Sequence, residues 1–144
     1  PSAHVMIGNH DERVERLSAD VGIPPVYIKS YAETWNTPGW KWSYTLEIDG
    51  VGYTHGTGTS GMFPAFNNTK LTGKSWVMGH THSVAGLQWM NTSEDKYLFG
   101  MNVGCGVDAN HIVMNYAKNY IKKPIISAGV VINGHPYLET MRKE

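Results

Sequence analysis

The stretch that most constrains the fold is residues 76–82, an apolar run followed by a glycine and two histidines. A short apolar run of this kind is typical of a buried strand. If the backbone stays extended beyond it, side chains two residues apart point to the same face, so His80 and His82 would reach one pocket at the strand's carboxyl end. Two imidazoles directed at one point indicate a metal site. For His-x-His alone, two surface histidines at a strand end are the simpler interpretation.

Composition narrows the class of protein. The 144 residues are 41% hydrophobic and 17% charged, which fits one globular domain over residues 1–144. A formal net charge of zero gives no general attraction to nucleic acid. Cys105 is the one cysteine, which excludes an internal disulfide and favours a reducing compartment, so we expect a cytoplasmic protein with no membrane partner. Because a predicted strand starts at residue 4, we expect the chain to be a piece of something longer.

The first predicted unit is a strand over residues 4–7, a glycine turn, and a helix over residues 12–19. It places Asn9, His10 and Asp11 between a strand's carboxyl end and a helix's amino end, where free N–H groups and the helix dipole favour an anion. The alternative is that Asn9 or Asp11 is simply a helix cap. Both interpretations stay open on this evidence.

The clearest hairpin joins residues 42–48 to residues 51–55 through Asp49-Gly50, because apolar and polar residues alternate on both sides of a strong turn signal. His55 lies at the end of the return strand, before the glycine-rich residues 56–61. That loop lacks the lysine of a phosphate-binding loop, and we interpret it as a flexible loop beside a site. For His55 alone, packing is the simpler role.

The other predicted elements are short helices over residues 26–35, 63–71 and 108–120, strands over residues 84–90 and 97–103, and a second hairpin over residues 125–139 with its turn at Asn133-Gly134. Together they predict a mixed α/β domain rich in strands. Cys105 is interpreted as a small buried apolar residue. Structural or surface roles are assigned to the remaining histidines, His4, His111 and His135.

Three motifs in order resemble the last three motifs of the calcineurin-like metallophosphoesterases. They are Gly8-Asn9-His10-Asp11, Thr54-His55-Gly56 and Gly79-His80-Thr81-His82. Residues 42–56 and 74–105 are also similar to phosphoesterases often encoded in phage genomes. The resemblance implies an α/β fold, a mixed-sheet, strand-rich β-sandwich flanked by helices, here incomplete at its amino terminus. It also implies hydrolysis of phosphomonoesters or phosphodiesters, with a nucleotide or nucleic acid as a reasonable guess for the substrate and the host cytoplasm as the location if a phage encodes the chain.

The resemblance further implies a role for each motif residue. Asn9, His55 and His80 would ligate one divalent metal of a two-metal centre, and His82 would ligate the other. His10 would contact the phosphate and protonate the leaving oxygen, and Asp11 would orient His10. Two cations held together can bind the phosphate and stabilise an in-line transition state. Such ligands suit Mn, Fe, Zn or Ni, and the sequence does not distinguish among these metals.

The chain also departs from the family. Two earlier family motifs, Asp-x-His and Gly-Asp-x-x-Asp, would lie before Gly8, and residues 108–111 have the wrong spacing to replace them. We therefore expect the carboxyl-terminal part of the catalytic domain, inactive or nearly inactive alone, with the missing amino-terminal half or a second copy as its partner. The alternative is a degenerate member that acts as a non-catalytic binding module or scaffold. A structural zinc domain is a poorer interpretation, because it would normally use several cysteines.

Overall fold

The computed structural model describes residues 3–94, 96–107, 119 and 121–141. Its strands are β1 (His4–Met6), β2 (Lys41–Ser43), β3 (Thr45–Ile48), β4 (Val51–Thr54), β5 (Ser75–Met78), β6 (Ala85–Ser93), β7 (Lys96–Val103), β8 (Ser127–Ile132) and β9 (His135–Thr140). Its helices are α1 (Arg13–Asp20), α2 (Tyr31–Thr34) and α3 (Pro64–Thr72), with a 3-10 turn at Pro25–Tyr27. The prediction of a mixed, strand-rich α/β chain is confirmed at this level.

The main sheet has five strands in the order β3-β4-β5-β7-β6. Its inner strands β4, β5 and β7 run parallel, and its outer strands β3 and β6 run antiparallel to their neighbours. Because parallel strands end at the same edge of a sheet, the segments that follow β4 and β5 emerge side by side. Strand β1 pairs in parallel with β2 and lies outside this sheet. The sheet therefore brings the chain after Thr54 and the chain after Met78 to one edge.

The two faces of β7 are covered by different elements. A Cβ added at Gly100 would lie 2.3 Å from the Phe66 backbone nitrogen, so α3 packs directly against that face. A Cβ added at Gly129 would lie 2.8 Å from the Met101 side chain, so the β8–β9 hairpin covers the opposite face. The core cluster of Val51, Phe99 and Met101 is buried beneath this hairpin and is completed by half-buried neighbours that include Val131 and Leu138.

The predicted strand over residues 42–48 is wrong as a single element. It is divided at Tyr44 into β2, which pairs with β1, and β3, which pairs with β4. The Ser43 hydroxyl donates to the Thr45 carbonyl at 2.7 Å, and this short-range bond closes a bend across Tyr44. Apolar and polar residues continue to alternate across the bend, so the sequence pattern alone could not locate the bend.

The segment between β1 and β2 is more exposed to solvent than its pattern of apolar residues predicts. Helix α1 forms where it was predicted, but its apolar residues Val14 and Leu17 stay 61% and 53% exposed. The predicted helix over residues 26–35 is instead the 3-10 turn followed by α2, where Ser30 and Glu33 form a capping box. The predicted helix over residues 108–120 lies outside the described residues, apart from residue 119. Of the helices that the structure describes, none has the length and apolarity to cross a membrane.

Candidate metal centre

Three side chains from distant parts of the chain meet at one atom. The Nε2 atom of His55 lies 3.0 Å from Asn9 Oδ1 and 3.1 Å from His80 Nδ1. The two imidazole rings meet edge to face, with their centroids 5.0 Å apart. All three side chains are half-buried. The turn after β1, the end of β4 and the turn after β5 thus supply one donor atom each to a common point.

Gly8 fits against the His55 ring because it has no side chain. A Cβ at residue 8 would lie 2.9 Å from His55 Cε1 and Nδ1, closer than atoms normally approach. The Gly8 N–H donates to Asp11 Oδ2 at 2.9 Å, so the Asp11 carboxylate closes the turn that carries Asn9 and His10. The N-cap of α1 is Glu12, without a side-chain hydrogen bond, so neither Asn9 nor Asp11 is the simple helix cap of the alternative interpretation.

His80 reaches the site from a left-handed backbone conformation rather than from an extended strand. Strand β5 ends at Met78, His80 has φ of 60°, and the Thr81 N–H donates to the Gly79 carbonyl at 2.7 Å. The prediction that His80 and His82 share a face because the backbone stays extended is therefore wrong in its geometry. Such conformations are uncommon for residues other than glycine, and they occur preferentially at functional sites.

His82 and His10 lie close enough to this group to act on it electrostatically. Burial, then the His80 ring and then the His10 ring, lower the pKa of His82 below its ordinary value. Burial and the His80 ring likewise lower the pKa of His55, and the Asp11 carboxylate raises it by a smaller amount. The His82 carbonyl accepts from the Ile125 N–H at 2.8 Å, which ties this turn to the segment before β8. The imidazoles of His55 and His82 are therefore biased towards the neutral form, which is the form that binds metals.

The donor atoms fit a cation by their chemistry and spacing. Metal–nitrogen distances of about 2.0–2.1 Å place two ligand atoms about 3.0 Å apart at a right angle and about 3.4 Å apart in a tetrahedron. The observed separations of 3.0 and 3.1 Å fall in this range. With a proton on His55 Nε2, one N–H faces two acceptors, Asn9 Oδ1 and His80 Nδ1. With that proton on Nδ1 instead, an amide oxygen and two ring nitrogens each present a lone pair here. A shared cation would satisfy all three lone pairs.

The set is nevertheless small. Within residues 3–94, 96–107, 119 and 121–141, no group of three or more His, Cys, Asp or Glu side chains is arranged to hold a metal ion. The candidate centre thus depends on Asn9 as its third ligand, beside two histidines. Compared with models of protein families, with curated proteins and with solved structures, the chain has no significant match. The assignment of the site therefore depends on its motifs and its geometry.

One supporting residue was not found from the sequence. Asn102 is buried on β7, where its Oδ1 accepts from the Ala65 N–H at 3.1 Å and its Nδ2 donates to the Thr81 hydroxyl at 3.2 Å. It therefore joins the start of α3 to the turn that carries His80. The available signal was a single amide within the otherwise apolar residues 98–103.

The residues given structural roles have ordinary contacts. His4 Nε2 lies 2.9 Å from the Ser43 hydroxyl, and the His135 ring packs between Trp89 and Tyr137. Cys105 is half-buried rather than fully buried, and its thiol donates weakly to the Val107 carbonyl at 3.5 Å. His111 lies outside the described residues.

Proposed function

We propose that this chain carries part of the metal centre of a phosphoester hydrolase. The observation that carries the proposal is the approach of Asn9 Oδ1 and His80 Nδ1 to His55 Nε2 at 3.0 and 3.1 Å. The order of the motifs that supply these atoms is that of the calcineurin-like metallophosphoesterases. Under this proposal the strand-rich chain is the carboxyl-terminal portion of a helix-flanked β-sandwich of that family.

Each nearby residue has a task that follows from its chemistry. A divalent ion held by Asn9, His55 and His80 would supply Lewis-acid polarisation of a phosphoryl oxygen. His10 is exposed on the turn beside these donors, where it can give a proton to the departing ester oxygen. Asp11 fixes this turn through the Gly8 N–H, so it positions His10 through the backbone.

Full activity needs more donors than the described residues supply. The His80 ring lowers the pKa of His82, so His82 lies near the centre, but one histidine is a poor site for a second ion. Among the described strands, β1 pairs only with β2, which leaves its other edge free to accept a further strand. We propose that an amino-terminal segment of the same domain, or a second copy of the chain, adds the missing ligands along this edge.

Titration calorimetry with Mn²⁺ and Zn²⁺ tests the metal centre directly. We expect one ion per chain, with affinity reduced at least about tenfold in His55→Ala and in His80→Gly. Glycine is chosen at residue 80 because it accepts the left-handed backbone without strain. His135→Ala is the matched control, since that histidine packs against Trp89 and Tyr137. Equal binding by all four proteins would refute the proposed centre.

Hydrolysis is tested with bis(p-nitrophenyl) phosphate and Mn²⁺. We expect slow turnover by the isolated chain, which His10→Ala lowers and His135→Ala does not. Raising the protein concentration should increase the specific activity only if a second copy supplies ligands. Turnover that is insensitive to the His10 substitution would show that another group carries the proton.

A second candidate is a non-catalytic binding module built on the same fold. The observation that favours it is the lack, among the described residues, of three or more His, Cys, Asp or Glu side chains arranged around one ion. This candidate predicts a folded protein whose melting temperature does not respond to Mn²⁺ or Zn²⁺. It also predicts that His55→Ala leaves ligand binding intact.

A further inference from the structure

A cleft of about 370 Å³ opens beside the candidate metal centre. His10 and Asp11 form its end nearest the metal donors, and its walls include Val14, Tyr27, Tyr31 and Trp35. The volume is within the range of sites for small ligands and too small for a folded partner. A phosphoester whose phosphate lay at His10 would therefore extend its other substituent into this cleft.

The walls of the cleft are largely apolar, and two of their aromatic rings are open to solvent. The rings of Tyr27 and Trp35 are 78% and 57% exposed, although aromatic rings usually find partners in a folded chain. Both rings stand on short segments fixed at their ends, by the 3-10 turn and by the capping box of α2. Exposed rings on supported backbone are surfaces on which a planar group can stack.

The cleft also contains a polar group without a hydrogen-bond partner. The Tyr31 hydroxyl is buried and makes no hydrogen bond of acceptable geometry to any described residue. Its ring stacks on Trp42 with centroids 5.4 Å apart, which holds the side chain in place. Burial raises the pKa of Tyr31 well above its usual range, and polar interactions of its hydroxyl with Glu15 and Tyr44, which fall short of good hydrogen-bond geometry, raise this pKa further, so the phenol keeps its proton. Since no described side chain makes a hydrogen bond of good geometry to this buried hydroxyl, a ligand with a well-placed acceptor would pair it better.

We propose that the cleft binds a nucleobase, so that the phosphoester acted on at the neighbouring centre is a nucleotide. The rings of Tyr27 and Trp35 would stack on the base, and the Tyr31 hydroxyl would donate to one of its ring nitrogens. A purely hydrocarbon group would leave that hydroxyl without an acceptor. A phosphoserine or phosphothreonine side chain would leave the rings uncovered, and a phosphotyrosine ring would cover them but has no ring nitrogen to accept from the hydroxyl. Glu15, on the same wall, can accept from an exocyclic amine of the base.

The proposal takes its phosphoester from the proposed function, but its test does not require metal or turnover. Adenosine 5′-monophosphate and ribose 5-phosphate carry the same phosphate and sugar and differ only in the base. Calorimetric titration in EDTA should show that adenosine 5′-monophosphate binds at least about fivefold more tightly than ribose 5-phosphate. This factor corresponds to the weakest stacking of one base on an aromatic side chain. Trp35→Ala and Tyr27→Ala should each weaken only the nucleotide, by about 5- to 150-fold. Tyr97→Ala is the matched control, because Tyr97 is similarly exposed but does not line the cleft.

A second variant addresses the hydroxyl by itself. Tyr31→Phe should lower the affinity for adenosine 5′-monophosphate about 2- to 10-fold while keeping the stacked ring and the fold, which circular dichroism checks. Equal affinities for the two phosphates, or nucleotide binding that ignores all three cleft variants, would overturn the inference. So would sedimentation showing a dimer that excludes the nucleotide, because a second copy would then be the occupant. Nucleotide binding in EDTA without any Mn²⁺ or Zn²⁺ binding would instead overturn the proposed function and retain the cleft.

Discussion

Gly8→Ala tests how tightly the metal donors depend on the turn beneath them. Gly8 is buried and is not among the residues with positive φ, so alanine can adopt its backbone conformation. The new Cβ would nevertheless lie 2.9 Å from His55 Cε1 and Nδ1. Since carbon contacts are normally about 3.5–4.0 Å, the ring must move by about 0.5–1 Å. That displacement exceeds the roughly 0.2 Å within which metal–ligand distances are held.

The magnitudes follow from opposing effects. Overpacking at a buried position costs about 1–3 kcal/mol. Alanine restricts the unfolded chain more than glycine does, which returns about 0.4–1 kcal/mol. The net loss in the free energy of unfolding is therefore about 0–2.5 kcal/mol, and the fold should survive. Metal affinity should fall more clearly, by about 10- to 100-fold, as for other changes to groups that position a ligand.

The assay is calorimetric titration of the variant with Zn²⁺, alongside urea denaturation in EDTA. Gly106→Ala is the matched control, because a Cβ there would lie more than 4 Å from any atom of the described residues other than its two chain neighbours. It should retain metal affinity and gain slightly in stability from the same restriction of the unfolded chain. If Gly8→Ala binds Zn²⁺ within about twofold of the Gly106 variant, contact with residue 8 does not set the position of His55.

Three further predictions concern packing and pH. Gly100→Ala should lower the free energy of unfolding by about 3 kcal/mol or prevent folding, because its Cβ would lie 2.3 Å from the Phe66 backbone nitrogen and helix α3 would have to move. An unchanged urea midpoint would contradict the packing of α3 on β7. Asn102→Ala should lower the free energy of unfolding, measured by urea denaturation, by about 2–4 kcal/mol, since it leaves the buried Ala65 N–H unpaired and removes the hydrogen bond to Thr81. A loss below about 0.5 kcal/mol would refute the role of Asn102 in joining α3 to this turn. In EDTA, stability should be fully present above about pH 7 and should fall as the pH drops below 6.5, because burial lowers the folded pKa of His55 and His82 and the unfolded chain takes up those protons first. The slope is at most about 1.4 kcal/mol per pH unit for each histidine, and a flat profile between pH 7 and pH 5 would contradict it.

Local patterns predicted the elements whose signals are local. Pro64 begins α3 and Gly73 ends it in the left-handed conformation, as their residue types indicate. The Asp49-Gly50 turn connects β3 to β4 with both residues at positive φ. These features depend on a few neighbouring residues, so a single sequence suffices to find them.

What the patterns missed depends on distant partners. The bend at Tyr44 separates a strand that pairs with β1 from one that pairs with β4, and pairing across the chain leaves no local trace. The exposed face of α1 had the periodicity of a buried helix, but no described element covers Val14 or Leu17.

The site shows the same division. The motifs predicted that Asn9, His55 and His80 would meet, and the strand ends bring them together. The extended backbone assumed for residues 80–82 was wrong, because the left-handed turn at His80 depends on the preceding glycine and on Thr81. The close approach of Gly8 to the His55 ring joins two segments that are 47 residues apart in the sequence, so neither segment alone predicts it. The meeting of these side chains was thus expected from the predicted strand ends and the resemblance of the motifs, whereas the backbone conformation that achieves it was not.

The short strand β4 connects an exposed turn to the candidate metal centre, which makes that turn a suitable point for attaching a label. The exposed Asp49-Gly50 turn precedes its first residue and His55 follows its last, so four residues at about 3.3 Å each separate the two ends by roughly 13 Å. A fluorophore or a surface tether attached at this turn would therefore be one strand length away from His55. Immobilised chains could then be washed through a series of cations and nucleotides on one sensor chip.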